Sequence, residues 1–283
     1  MSESESVPRR VAHLLTPGWD PLEIDTSIAH TARMYDYYLG GKDNYAVDRD
    51  AAEQVLAVFP QMRAIARANR AFLGRTVRYL AAHGVRQFLD IGTGIPGPGS
   101  TNAAAQSVDP EARVVYVDND PIVMAHAGAL LAGHDPGHTT VVYGDLRDPV
   151  SILEHPQVRA VLDFDQPVAI LLVAVLHFIR DGEDPAGIVE RLMGATVPGS
   201  YLVLSHATFE GEDEQAEEAS HSYDRANATI SLRSKARVSE FFRGLEVVEP
   251  GIVQQPWWQP DGEVEADPTQ NWGYGGVGVK PKA

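Results

Sequence analysis

The sequence predicts an α/β fold, a mostly parallel sheet with crossover helices, preceded by a helical N-terminal cap. Three observations point to it. From Val85 onward, short apolar runs alternate with helical stretches, which is how buried parallel strands and their crossovers read. Between Thr31 and His83 the apolar and alanine positions (Ala51, Val55, Val58, then Ile65, Ala68, Phe72, Val77, Leu80) recur every three or four residues, as on one face of a helix. The closing stretch Tyr274–Val279 is glycine-rich and follows Val247–Val253 through an aromatic, proline-bearing connection, so a hairpin and an antiparallel last strand are the natural join.

Taken in order, residues 1–30 are polar, carry Pro8, Pro17 and Pro21, and read as a loosely held arm. Residues 31–83 read as about three helices, broken at Gly40-Gly41 and at Pro60 and ended by Gly84. Strands are expected at Gln87–Asp90, Arg113–Asp118, Thr139–Tyr143, Val168–Val175 and Ser200–His206, with two more at Leu245–Val253 and Gly275–Val279. Between them, helices are expected at Ser100–Ser107, Pro121–Leu131, Val150–His155, Pro185–Thr196 and within Glu214–Gly244, where the acidic patch Gly211–Glu218 reads as a solvated helix start. Trp257, Trp258 and Trp272 read as packing of the last connection against the sheet edge, the alternative being a wall of a ligand pocket. The domain reading is therefore an arm (1–30), a helical cap or lid (31–83) and a main domain (84–283).

Composition excludes several classes. The 283 residues hold 23 basic against 39 acidic side chains, a formal charge of −16, and that balance argues against a nucleic-acid partner, whose phosphates are met by Lys and Arg. With no cysteine there is no disulfide scaffold, thiolate metal site or cysteine nucleophile. The start Met1 to Ser6 has neither the basic nor the apolar region of a secretory signal, and the longest apolar run, Val168 to Leu176, is too short to span a bilayer. A cytoplasmic protein without a membrane partner is expected. No metal site is expected; His134 and His138 have an i, i+4 spacing, but across Asp-Pro-Gly it reads as a loop.

The segment Phe88–Gly97 ends a strand and enters a turn before a helix, and Gly92, Gly94 and Gly97 fit G-x-G-x-x-G. Gly92 and Gly94 let the backbone turn sharply and approach a ligand where a Cβ would clash. Asp118, at the end of the next strand, is suited to accept from both hydroxyls of a ribose. A dinucleotide would rest its pyrophosphate on the amides of the following helix, but Pro96 and Pro98 lack N–H groups and Asp90 sets a negative charge beside the loop. That carboxylate suits a cation, such as the amino group of a methionine moiety. Asp145, after the third strand, can accept from an adenine amino group while a neighbouring backbone amide donates to the ring.

These acids at three consecutive strand ends, with Asp90-Ile91-Gly92-Thr93-Gly94, make the chain resemble a class I S-adenosylmethionine-dependent methyltransferase. The segment Ala32–Arg49, with Tyr35-Asp36-Tyr37-Tyr38-Leu39-Gly40-Gly41-Lys42-Asp43-Asn44, is similar to the N-terminal signature of a bacterial family of S-adenosyl methyltransferases first catalogued as a domain of unknown function. Ala68–Phe72, Gln87–Gly94, Val114–Pro121, Ala174–Phe178 and Gly275–Gly278 match in the same order. The chain departs from the family after the glycine loop, where Gly97-Pro98-Gly99-Ser100-Thr101-Asn102 replaces a polar stretch with a histidine. The resemblance implies a Rossmann-like seven-stranded sheet with an antiparallel last strand, and S-adenosylmethionine held by Asp90, Gly92, Gly94, Asp118, Asn119, Asp145 and Leu146. A small-molecule acceptor is expected beyond strands 4 and 5. There His177 is the candidate base or acceptor-positioning residue, and His206 ranks below it. Tyr35 and Asn44 are candidates on a lid over the cofactor, and Arg70 is one for the methionine carboxylate. His221, Tyr223, Arg225 and Asn227 could line the acceptor pocket, though exposure suits them better. An NAD-dependent oxidoreductase and a non-catalytic S-adenosylmethionine-binding protein are the alternatives.

Overall fold

In the computed structural model, residues 25–97, 99–131, 138–208, 230–267 and 273–282 are described. Three helices come first: α1 (Thr31–Leu39), α2 (Ala46–Val58) and α3 (Met62–Ala82). Each break has a local cause. Gly40, at φ +84°, ends α1 by returning its N–H to Asp36 and Tyr37. The Asp48 carboxylate starts α2 by accepting from Tyr45 N at 2.8 Å. Gly84, at φ +89°, closes α3.

The sheet follows as β1 (Gln87–Ile91), β2 (Arg113–Asp118), β3 (Thr139–Tyr143), β4 (Ala169–Val173), β5 (Tyr201–His206), β6 (Glu246–Val247), β7 (Val253–Gln254) and β8 (Tyr274–Val279). Its order is β3-β2-β1-β4-β5-β8-β6, with β7 also on β8; β1 to β5 are parallel and β8 is antiparallel to β5. Eight strands stand where seven were expected, because the sixth is broken. Pro250 lacks an N–H, Gly251 turns at φ +92°, and the pieces β6 and β7 pair with opposite ends of β8. The glycines of β8 let rings close in on both faces: a Cβ on Gly275 would meet Phe72 at 2.8 Å, and one on Gly278 would meet Phe242 at 2.9 Å.

The helices α4 (Thr101–Gln106), α5 (Pro121–Leu131), α6 (Pro149–Glu154), α7 (Pro156–Val161), α8 (Pro185–Gly194) and α9 (Lys235–Glu240) complete the described fold. Sequence pattern misses α7, since Pro156 reads as a break. Here it is the first residue of a helix, and His155 caps the turn by accepting from Gln157 N at 3.2 Å. Strand periodicity splits the core into two layers. Leu89, Ile91, Val115, Val117, Ile170 and Leu202 pack on the face of α6 to α9, whereas Phe88, Val114, Tyr116, Leu171 and Val203 pack on the face of α3 to α5. Trp258 is wholly buried on the second face, edge-on to Phe72 and Tyr79, as the packing reading expected. A third cluster joins α1, α2 and the start of α3 to Phe178, Ala207, Ile230 and Leu232, beyond the ends of β4 and β5. The expected arm up to residue 24, the patch Gly211–Glu218, the stretch Glu214–Thr229, His134 and Trp272 lie outside the described residues.

Candidate active site

A cavity of about 550 Å³ opens where α1 and α3 lie over the carboxyl ends of β1 to β5. That volume suits a drug-sized ligand, and the carboxyl end of a parallel sheet is where such folds bind. Of the candidates, Asp90, Gly92, Gly94, Asp118, Asn119, Asp145, Leu146, Tyr35, Arg70 and His177 line it. Asn44 does not. Its amide donates to Asp36 Oδ2 at 2.8 Å and to Gly41 O at 3.2 Å, so it closes the corner between α1 and α2.

The strand period puts Asp90 on the Phe88 face, under α4 and α3. It is 3 % exposed and accepts from Thr101 Oγ1 at 2.6 Å. Burial pushes its carboxyl up to about 6, against the Thr101 hydrogen bond and the positive field of Arg70. Asp118 Oδ2 accepts from Gly94 N at 2.8 Å and its Oδ1 from Asp120 N at 2.9 Å. Burial pushes it up as well, against those two bonds. Asp145 sits nearer solvent and is shared: Asn119 Nδ2 donates to it at 3.1 Å, and Arg147 Nη1 reaches it at 3.2 Å while its Nε binds Glu183 at 2.7 Å. The neighbouring Arg147 therefore takes part of the capacity expected for an adenine.

The glycine loop corrects one expectation. At Gly92, φ +73°, a Cβ would overlap the side chain of Val175, so although Gly92 lines the cavity its missing Cβ makes room for a protein group. Ala174, at φ +56°, causes the approach by turning the chain sharply after β4. Gly94, at φ +62°, has nothing within 4 Å of a Cβ position, and there the space belongs to the cavity.

Arg70, on α3, stacks over Tyr35 at 5.7 Å and makes no hydrogen bond or ion pair among the described residues. Tyr35 hydroxyl donates to Ala66 O at 3.0 Å and accepts from Asn69 Nδ2 at 2.8 Å. Asn69 Oδ1 in turn accepts from Ser205 Oγ at 2.6 Å and Gln255 Nε2 at 3.1 Å, tying α3 to β5 and to the residue after β7. Sequence reasoning missed Asn69 and Gln255 as cavity walls. Asn69 lies inside the Ala68–Phe72 match, but nothing in the pattern marks Gln255.

His177 lies in the turn after β4, 6 % exposed, and its Nδ1 accepts from Ala207 N at 3.3 Å. Burial, His206 and Arg233 hold its imidazole well below the usual histidine range, so it is neutral and a poor base. His206 does not line the cavity. Burial pushes it down to about 4, its Nε2 meets Arg233 Nη1 at 2.9 Å, and its Nδ1 lies 2.6 Å from Ala207 O. The buried Arg233 also donates to Ile179 O at 2.8 Å and Asp181 Oδ1 at 2.6 Å, fastening the turn after β4. His221, Tyr223, Arg225 and Asn227 lie outside the described residues.

Residues 17–281 match the model of a family described as S-adenosyl methyltransferase. None of the curated proteins searched matches the chain. Among solved structures, a DUF574 family protein from Streptomyces avermitilis is 45 % identical, with a TM-score of 0.86 over 92 % of this chain and 100 % of that one. A protein from Thermobifida fusca, crystallised as a candidate methyltransferase, is 38 % identical, with a TM-score of 0.86 over 94 % of this chain and 100 % of that one. An O-methyltransferase family protein from Burkholderia thailandensis shares the fold at 15 % identity, with a TM-score of 0.50 over 87 % of this chain and 64 % of that one.

Proposed function

The chain belongs to the S-adenosyl methyltransferase family, with S-adenosylmethionine as its cofactor, and from that premise we propose that it methylates a small molecule held in the cavity. The observation that carries this reading is one chamber with two unlike halves. Carboxylates and an unpaired arginine stand around the ends of β1 to β3, and apolar side chains stand beyond β4 and β5.

The first half fits the cofactor. Asp90 is a buried acid that a cation would relieve, Arg70 is a cation that a carboxylate would relieve, and Gly94 leaves open space beside Asp118. Asp90 and Arg70 would hold the amino and carboxylate groups of the methionine moiety, Asp118 the ribose, and Asp145, Asn119 and Leu146 the adenine. S-adenosylmethionine bound there supplies a methyl group on a sulfonium, open to direct displacement. The protein's part is then to align an acceptor and exclude water, and no side-chain nucleophile is required. The N-terminal helices, residues 31–83, act as a cap over a methyltransferase domain of residues 84–283, with Tyr35 under Arg70 on the cofactor side, Asn69 tying the cap to Ser205, and His177 on the acceptor side. Among the described residues no helix is long and apolar enough to cross a membrane. A cytoplasmic site of action belongs to the same proposal, and the excess of 39 acidic over 23 basic side chains disfavours a nucleic-acid partner.

Thermal shift with S-adenosylmethionine, S-adenosylhomocysteine, NAD and NADP tests the reading, because a ligand that binds only the native state raises the melting temperature. The adenosyl ligands stabilise the protein and Asp118→Ala abolishes that shift. Stabilisation by NAD alone overturns the proposal.

A further inference from the structure

His177 carries an open donor. Arg233 is always charged and can only donate, so His206 Nε2, 2.9 Å away, must accept. The proton of His206 is then on Nδ1 and goes to Ala207 O at 2.6 Å. Ala207 N donates to His177 Nδ1, which leaves the only proton of the neutral His177 ring on Nε2. That Nε2 has no hydrogen-bond partner among the described residues, and the ring lines the cavity while 94 % buried. The cavity wall formed by Met34, Tyr38, Met62, Phe178, Ile230 and Leu232 is one packed apolar cluster, and of the charged lining residues Arg180 stands two positions from Phe178.

We propose that His177 Nε2–H is a fixed hydrogen-bond donor that orients the methyl acceptor, and that the acceptor is an uncharged, largely apolar molecule presenting a carbonyl or ether oxygen. The inference rests on the methyltransferase reading and deepens it. His177 is a positioning residue, and the methylated atom loses its proton to solvent or not at all. Burial, with the His206 ring and the Arg233 guanidinium behind it, keeps this donor unchanged across neutral pH, although the Asp181 carboxylate on Arg233 acts the other way.

The test uses full-length protein saturated with S-adenosylhomocysteine and two size-matched probes, 1-indanone, which has a carbonyl, and indane, which has none. Calorimetry is expected to give 1-indanone an affinity about ten-fold higher than indane, the usual worth of pairing a buried donor, and the ratio is expected to hold from about pH 5.5 to 8. His177→Phe keeps a ring and removes the donor, so the ratio falls to about one with S-adenosylhomocysteine affinity unchanged. His177→Gln, whose amide N–H stands near the same position, restores the preference. Equal affinities in the wild type, a preference kept by His177→Phe, a change of ratio near pH 6.5, or no binding of either probe overturns the inference while leaving the cofactor reading intact. Failure to bind S-adenosylhomocysteine overturns both.

Discussion

Asp90 couples cofactor affinity to pH. In the unliganded protein burial raises its carboxyl to about 6, and an ammonium beside it should return that value towards 3.8. One unit below a pKa of about 6, roughly ten of every eleven Asp90 carboxyls carry a proton that binding must expel. S-adenosylhomocysteine should therefore bind about ten-fold more weakly at about pH 5 than at about pH 8, a difference of about 1.4 kcal/mol. Stability runs the other way. A folded-state pKa raised above the unfolded one gives stability that is full below about pH 4 and lost as pH rises through about 6, up to about 3 kcal/mol for this fully buried group. Asp90→Asn keeps an oxygen for Thr101 and cannot ionise. Calorimetry on it should show affinity that is nearly constant over the same interval and at least about ten-fold below wild type at about pH 8. Its melting temperature without ligand should rise at neutral pH. The reasoning fails if the variant keeps the wild-type slope, or if the wild type has none.

The two loop glycines should separate. Gly94→Ala has open space and pays only for its positive φ, about 1–2 kcal/mol, but its Cβ enters the cavity and should weaken S-adenosylhomocysteine at least about ten-fold. Gly92→Ala overlaps Val175 and should lose several kcal/mol or fail to fold; the opposite ranking in thermal melts and calorimetry would show that the loop is misread. Arg70→Met should change stability by less than about 1 kcal/mol, since only the stack on Tyr35 is lost. S-adenosylhomocysteine should weaken about ten-fold or more, whereas 5′-methylthioadenosine, lacking the methionine carboxylate, should bind as before. An equal loss for both ligands would remove Arg70 from that carboxylate.

Sequence by itself determined what local periodicity and backbone chemistry control. The bounds of β2, β3 and α5, the breaks at Gly40 and Gly84, and the acids at the first three strand ends were all legible, because alternation, glycine and strand ends are properties of neighbouring residues. The resemblance to a known family added the cofactor. Only the tertiary structure decided the rest. Pro250 and Gly251 read as a turn only once β8 is seen to pair on both sides of them, and Gly92 is tied to Val175 by a turn after β4 that is distant in sequence. Asn44 has the composition of a ligand contact and is used up by Asp36. His177 looks like a base in a list of residues. It becomes a donor because Ala207 N, 30 positions later, occupies its Nδ1, while burial, with His206 and Arg233 beside it, holds the ring neutral. Protonation and tautomer depend on the field of every group packed nearby, and no stretch of sequence contains that field.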